Sequence, residues 1–252
     1  MDSGFEGEWP SMDHRSELRE TAQLMERANR LDDMMRYVTE LVEVADATQT
    51  PFSQEERGLF LVAFKNSLKS LRTSLHSVWA VERVEEAVGN ERTFHLAHSL
   101  RVKLELELVQ LCLKAVRLVD SLLAIPLGEG KIFFKKFKAD SLRYLAEVRG
   151  EEHVLAARKE YLEAWNLAEV ELGPTDSLRL GLALNMAVFH YDVLKKPDAA
   201  CVLARRAFEA AVATPTTKMT EDSLCRVQLL RDNLTRWTSS SHDGGHHPAA
   251  TT

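Results

Sequence analysis

Between residues 14 and 237 the apolar residues recur at three- and four-residue spacing, the repeat of helices that bury one face. Leu59, Leu61, Val62, Phe64, Leu68, Leu71 and Leu75 fit one helix; Leu104, Leu108, Leu111, Val116 and Leu123 fit another. Alternation with period two is scarce. Its one local case, LELELV at 104–109, lies inside a long run of helix formers without a turn signal and reads as helix. Pro51, Gly89, the PLGEG segment at 126–130, Gly150, Gly173–Pro174, Pro197 and Pro215 break the chain at helical intervals. Gly173 can cap a helix end, Pro174 forbids its continuation, and Thr175 or Asp176 can N-cap the next helix. Pro197 suits a first helical turn, where Asp198 complements the dipole. The pattern predicts nine helices, roughly 14–29, 31–47, 53–83, 91–124, 130–149, 152–171, 176–194, 197–213 and 219–237. They form an all-α antiparallel array around one core. An acidic N-terminal extension, 1–13, precedes them, and the polar segment 238–252 reads as a flexible tail.

Composition narrows the function. With 252 residues, 45% of them hydrophobic and 28% charged, the chain is an ordinary soluble globular protein with a sizeable core. Its formal net charge of −6 argues against general binding to nucleic acid or anionic membranes, so an anionic ligand would need local positive charge. Cys112, Cys201 and Cys225 are scattered through apolar helical patterns, without a CxxC, and read as three buried thiols in a reducing compartment. The first 13 residues have no Lys or Arg and no apolar run, so they are no signal peptide. No uninterrupted 18-residue apolar stretch suggests a membrane span. The expected location is cytoplasmic, with nuclear access left open.

Catalytic and metal chemistry find no support. Walker, GxGxxG, HExxH, GxSxG and EF-hand patterns are missing from the sequence, and no nucleophile has a base beside it. His95 and His98 stand three apart on one helix without a third ligand nearby and read as surface residues, so no metal or cofactor is expected. His246–His247 lie in the tail, where only adventitious metal binding is foreseen. The acidic pairs Glu85–Glu86 and Glu151–Glu152 sit near helix ends, and solvation of a helix start accounts for the second.

The basic residues say more. Lys65, Lys69 and Arg72 fall at i, i+4 and i+7 of one helix, hence on one face. A second helix carries KKFKADSLRY, with Lys135, Lys136, Lys138, Arg143 and Tyr144. Solvation of outer helix faces would explain either run alone. Two runs on an acidic protein, one ending in Arg-Tyr, also suit a dianion, because Arg offers forked hydrogen bonds and a Tyr hydroxyl one more.

The segments FFKKFKADSLRYLAEV, DSLRLGLALNMAVFHYDVL and VQLLRDNLTRW resemble the signatures of the 14-3-3 phosphoserine/phosphothreonine-binding adaptors. RANRLDDMMRYV and EERGLFLVAFKNSL match more loosely, and the resemblance covers about 15–237. It implies a cup-shaped protomer of nine antiparallel helices, an amphipathic groove holding a phosphorylated client peptide, and a homodimer or heterodimer through the N-terminal helices. Carried over, the phosphate pocket falls on Lys65, Arg72, Arg143 and Tyr144. The peptide groove falls on Lys136, Leu184, Asn185, Val188, Asp192, Leu229, Asn233 and Trp237, with core packing an open reading for the apolar members. The dimer interface falls on Leu24, Ala28, Arg30, Asp33, Ser74, Leu100, Lys103 and Glu107, including the pairs Arg30–Glu107 and Asp33–Lys103. Ser74 is also a candidate phosphorylation switch or an ordinary surface serine. The implied function is phosphorylation-dependent adaptor binding in signal transduction, without enzymatic activity, nucleic acid or membrane insertion.

The chain departs from the family's pattern at several positions. Leu75 stands for an aromatic residue, His76 for an arginine, Leu71 for a basic residue and Lys69 for a small one. Arg226 replaces an apolar groove residue, and Leu100 a tyrosine. The junction near 44–52 is longer, and the tail keeps Asp243 as its sole acidic residue. Two other readings stand beside this one: a tetratricopeptide-like scaffold for unphosphorylated peptides, and a client-poor protomer serving as a heterodimer partner. A clean 34-residue self-similarity is missing, which counts against the first.

Overall fold

A computed structural model describes residues 13–127, 130–215 and 219–243. Most of the acidic N-terminal extension and His246–His247 lie outside the described residues. Within them are nine α-helices: α1 (His14–Arg27), α2 (Leu31–Thr48), α3 (Gln54–Val88), α4 (Glu91–Ala124), α5 (Gly130–Arg149), α6 (Glu151–Glu171), α7 (Ser177–Val188), α8 (Pro197–Val212) and α9 (Glu221–Asp243). No strand occurs among the described residues. Short connections fold consecutive helices back on each other, and α7 packs on α5, α6, α8 and α9.

Several boundaries follow from caps visible in the sequence. The Ser53 side chain accepts from the Glu56 N–H, while the Glu56 carboxylate accepts from the Ser53 N–H, so the S-x-x-E spacing closes a capping box at the start of α3. Glu56 also pairs with Arg15 at 2.7 Å, tying α1 to α3. Burial pushes its carboxyl pKa up, but the bonds from Arg15 and Ser53 outweigh burial and hold it below the usual range. Asp176 caps α7 by accepting from the Leu178 and Arg179 N–H groups.

Other boundaries differ from expectation. α3 continues to Val88, five residues beyond 83, and stops where Gly89 takes a left-handed φ of 72°. α6 ends on Leu172 in extended backbone, and Gly173 has no left-handed turn. The segment expected as one helix over 176–194 is α-helical to Val188 and then winds into a single π-turn, Phe189–Val193. α9 runs past 237 to Asp243, so the first six positions assigned to the tail are helical.

The core is continuous. Phe60 and Phe64, one turn apart on α3, meet Phe134 and Phe137 of α5 edge-on at centroid distances of 5.1–6.1 Å. Aromatic pairs of this geometry contribute about 0.5–1.5 kcal/mol beyond area burial. They also fix the register of the two helices, with Lys65 and Lys136 next to these rings in sequence. The thiols divide three ways: Cys112 is buried, Cys201 half-buried and Cys225 exposed, so the expectation of three buried cysteines holds for the first alone. Helical spacing places Cys225 on the outward side of α9 beside exposed Leu224.

Candidate functional site

Helical periodicity sorts the basic run of α5. Lys136, Asp140, Arg143 and Glu147 recur at four-, three- and four-residue steps and share one face. Lys135 and Lys138 point elsewhere: Lys135 pairs with Glu160 and Glu163 at 3.1 and 2.5 Å, and Lys138 with Asp120 and Glu160 at 2.6 and 2.8 Å. These two lysines fasten α5 to α4 and α6. They leave the run of five residues with three members on the groove side.

On that side Glu147 gathers both pocket arginines. Arg72, from α3, meets it at 3.0 Å, and Arg143 donates from Nη1 to Oε1 at 2.9 Å. The Tyr144 ring lies under both guanidiniums, 4.1 Å from that of Arg72 and 4.4 Å from that of Arg143. Burial pushes the Tyr144 phenol pKa up, so its hydroxyl keeps its proton at neutral pH. Arg143 is 1% exposed and also donates from Nε to the Tyr161 hydroxyl at 3.3 Å. Its Nη2 is buried and finds no hydrogen-bond partner among the described residues. A buried guanidinium nitrogen without an acceptor is costly in a folded protein, and an anion could satisfy it.

Asp140 organises the other half of the floor. It accepts from Tyr161 at 2.6 Å, from the Asn185 amide at 2.9 Å and from Lys136 at 2.7 Å. Burial works to raise its pKa, but Lys136, Arg143 and the hydrogen bonds outweigh it and keep the group ionised below the ordinary value. Lys65 is an exposed side chain making no ion pair with the described residues. Desolvation, then repulsion from Lys136 and Arg226, lowers its pKa against the pull of Asp222, with Lys69 adding a smaller repulsion. That ordering puts side chains of α3, α5 and α9 in one positive field.

The remaining groove positions lie on α7, its π-turn and α9. Leu184, Asn185 and Val188 are fully buried on α7, as is Asn233 on α9; Leu229 is half-buried. Trp237 stacks on Tyr191 with centroids 4.7 Å apart and planes 13° from parallel. Asp192 sits half-buried in the π-turn. The sequence reading missed Glu147, Asp140 and Tyr161. The two carboxylates had a signal, since they follow Lys136 by four and eleven residues; Tyr161 comes from α6 and had none.

The second set of residues lies on the outer side of α1–α4. Leu24 is 57% exposed and Leu100 46%, and Ala28, Arg30, Ser74 and Lys103 are exposed as well. Val81, Val84, Val88, Leu96, Val102 and Leu106 are exposed apolar side chains of α3 and α4. Within the protomer Asp33 pairs with Arg30 and, at 2.9 Å, with Arg36, while Lys103 meets Glu107 at 4.0 Å. His98 and Arg101 share Glu82 at 2.8 and 2.5 Å, and His95 is exposed. No group of three or more metal-binding side chains occurs among the described residues.

A model of the family described as 14-3-3 protein matches residues 21–238. The 14-3-3 protein zeta of Bombyx mori is 41% identical over 245 residues, covering 93% of this chain and 96% of that protein. The 14-3-3-like protein F of Nicotiana tabacum is 41% identical over 240 residues, with 92% and 93% covered. The 14-3-3-like protein 1 of Caenorhabditis elegans is likewise 41% identical, over 231 residues, with 88% and 91% covered.

Proposed function

The chain belongs to the 14-3-3 family, whose members are non-enzymatic adaptors, and on that premise we propose that it binds client proteins through phosphoserine or phosphothreonine. The observation that carries this reading is the buried, partnerless Nη2 of Arg143 beside a second guanidinium and a protonated tyrosine hydroxyl. Two arginines share one carboxylate, Glu147, which leaves excess positive charge. A phosphate brings a charge near −2 and three acceptor oxygens. Each charge-assisted hydrogen bond it accepts from Arg72, Arg143, Lys65 or Tyr144 is worth about 1.5–3 kcal/mol net. An unmodified serine hydroxyl offers one acceptor site and no charge, so phosphorylation is the switch. Asn185 and Asn233 would meet the peptide backbone.

A pair of peptides identical but for the phosphate tests the reading by titration. The phosphopeptide should bind at micromolar affinity or better and its twin at least about 100-fold more weakly, the equivalent of about 2.7 kcal/mol. Equal affinities would refute the proposal. Lys65→Glu reverses an exposed charge and should abolish binding with the helical circular dichroism unchanged.

The exposed apolar surface of α1, α3 and α4 supports a dimer, homotypic or with a related protomer. Sedimentation should give twice the protomer mass, and Leu24→Asp with Leu100→Asp should give the protomer mass. The expected compartment is the cytoplasm, with nuclear access, and no described helix is long and apolar enough to cross a membrane.

A further inference from the structure

Arg226 lies across the groove floor in a way its place in the sequence does not announce. Its side chain leaves α9 and reaches α7, where Nη1 donates to the Ser177 carbonyl at 2.6 Å. Nε and Nη2 donate to Asp222 Oδ1 at 3.3 and 3.1 Å. Gly181 makes this path available: a Cβ at 181 would overlap Arg226 Nη1. The Lys136 Cε lies 3.5 Å from the same point, so two cations from α5 and α9 converge over one glycine of α7. A guanidinium has five N–H donors. Nη2 also lies 2.8 Å from Asp222 Oδ2, and Nη1, with one partner, keeps an N–H for a further acceptor.

The charge around it is unbalanced. Near it on α3, α5 and α9, Lys65, Lys69, Arg72, Lys136 and Arg143 are cations, and Asp140, Glu147 and Asp222 are carboxylates. Asp222 is 59% exposed at its side chain, so Arg226 pairs with an anion that water already solvates and that a ligand can replace. Arg226 is 18% exposed and held at both ends. A pre-positioned cation loses little freedom when it binds an anion.

We propose that Arg226, with Lys136, forms a second anion subsite that selects clients bearing an Asp or Glu close to the phosphorylated residue. The proposal rests on the phosphopeptide reading of the pocket. The spacing fits one bound peptide. Lys136 and Arg143 are seven residues apart on α5, about 10 Å of helix. An extended peptide covers that span in about three residues at about 3.3 Å each. A carboxylate within three positions of the phosphate therefore reaches Arg226 while the phosphate occupies Arg72, Arg143 and Tyr144.

The test walks a single Asp from three residues before to three residues after the phosphoserine in a neutral peptide, each compared with Asn at the same position. Binding is measured by fluorescence anisotropy at low and physiological salt. At one or more positions Asp should tighten binding to the native protein by about threefold to tenfold, more at low salt. Arg226→Gln should bring that Asp-to-Asn ratio to about one. Gly181→Ala should reduce the ratio without altering charge, by displacing the guanidinium from α7. A ratio near one at every position in the native protein, or a preference that survives Arg226→Gln, overturns the subsite. If no phosphopeptide binds, the titrations themselves are flat and both readings fall. If the Asp peptides bind equally with and without phosphate and lose affinity in Arg226→Gln, the subsite stands and the phosphate reading falls.

Discussion

The groove floor and the outer face of α1–α4 are both rich in charge, yet they use it differently. On the floor, beside the one-turn pairs Lys136–Asp140, Arg143–Glu147 and Arg226–Asp222, contacts join residues far apart in sequence. They are an ion pair from Arg72 to Glu147 across α3 and α5, and hydrogen bonds from Asn185 to Asp140 across α7 and α5 and from Arg226 to the Ser177 carbonyl across α9 and α7. The Arg72, Glu147, Asp140 and Arg226 side chains are at most about one-fifth exposed, whereas Asp222 is 59% exposed. On the outer face most pairs run along one helix at three- or four-residue spacing, as in Arg30–Asp33 and Lys103–Glu107, with side chains up to 73% exposed. A pair of the second kind contributes about 0–1 kcal/mol. A group of the first kind holds helices in register, and it leaves one nitrogen of Arg143 unsatisfied. A charged network built purely for stability would satisfy every member. On the proposed reading the unsatisfied nitrogen of the floor would meet a ligand's anion, and the exposed apolar side chains of the outer face a second protomer.

The contrast is broken most severely at Arg143. Arg143→Leu removes the unsatisfied donor along with the bonds to Glu147 and Tyr161. Phosphopeptide affinity should fall about 100-fold or more, measured by titration, equivalent to losing one or two charge-assisted bonds. Thermal stability should change by much less than truncation of a paired buried ion would produce, because part of the floor was unsatisfied beforehand.

Acidification separates the regions next. Asp140 and Glu56 have folded-state pKa values below their ordinary ones. Their contribution to stability is therefore complete above the unfolded values, near 4–4.5, and is lost as pH falls through the lower folded values. Denaturant midpoints taken from pH 7 to pH 3 should hold down to about 4.5 and then drop, and Asp140→Asn should flatten part of that drop.

The smallest effect belongs to the outer face. Asp33→Asn removes the partner of Arg30 and Arg36, yet the denaturant midpoint should shift by no more than about 0.5 kcal/mol of stability and phosphopeptide binding should be unaltered. A change as large as that at Arg143 would erase the distinction between the two regions.

Much of this was legible in the residue order. Helix starts were, because Ser53–Glu56, Asp176 and Pro197 carry their capping chemistry locally. The end of α9 was not, because residues 238–243 hold no glycine or proline to stop a helix, and a polar composition alone does not end one. The π-turn, which packs against α5 and α8, was hidden as well, since FHYDV is compatible with an ordinary helical turn.

Residue order by itself determined the helical spans, the cations available on α3, α5 and α9, and the carboxylates that follow Lys136 along one helix face. Those are local properties, set by a period of 3.6 residues and by side-chain chemistry. Which cations meet was decided by tertiary structure. Packing of Phe60 and Phe64 on Phe134 and Phe137 brings Arg72 to Glu147 and leaves Lys135 and Lys138 facing other helices. The small volume of Gly181 lets Arg226 cross from α9 to α7 beside Lys136. Helical spacing sets the face on which a charge lies; distances between faces come from the core beneath them.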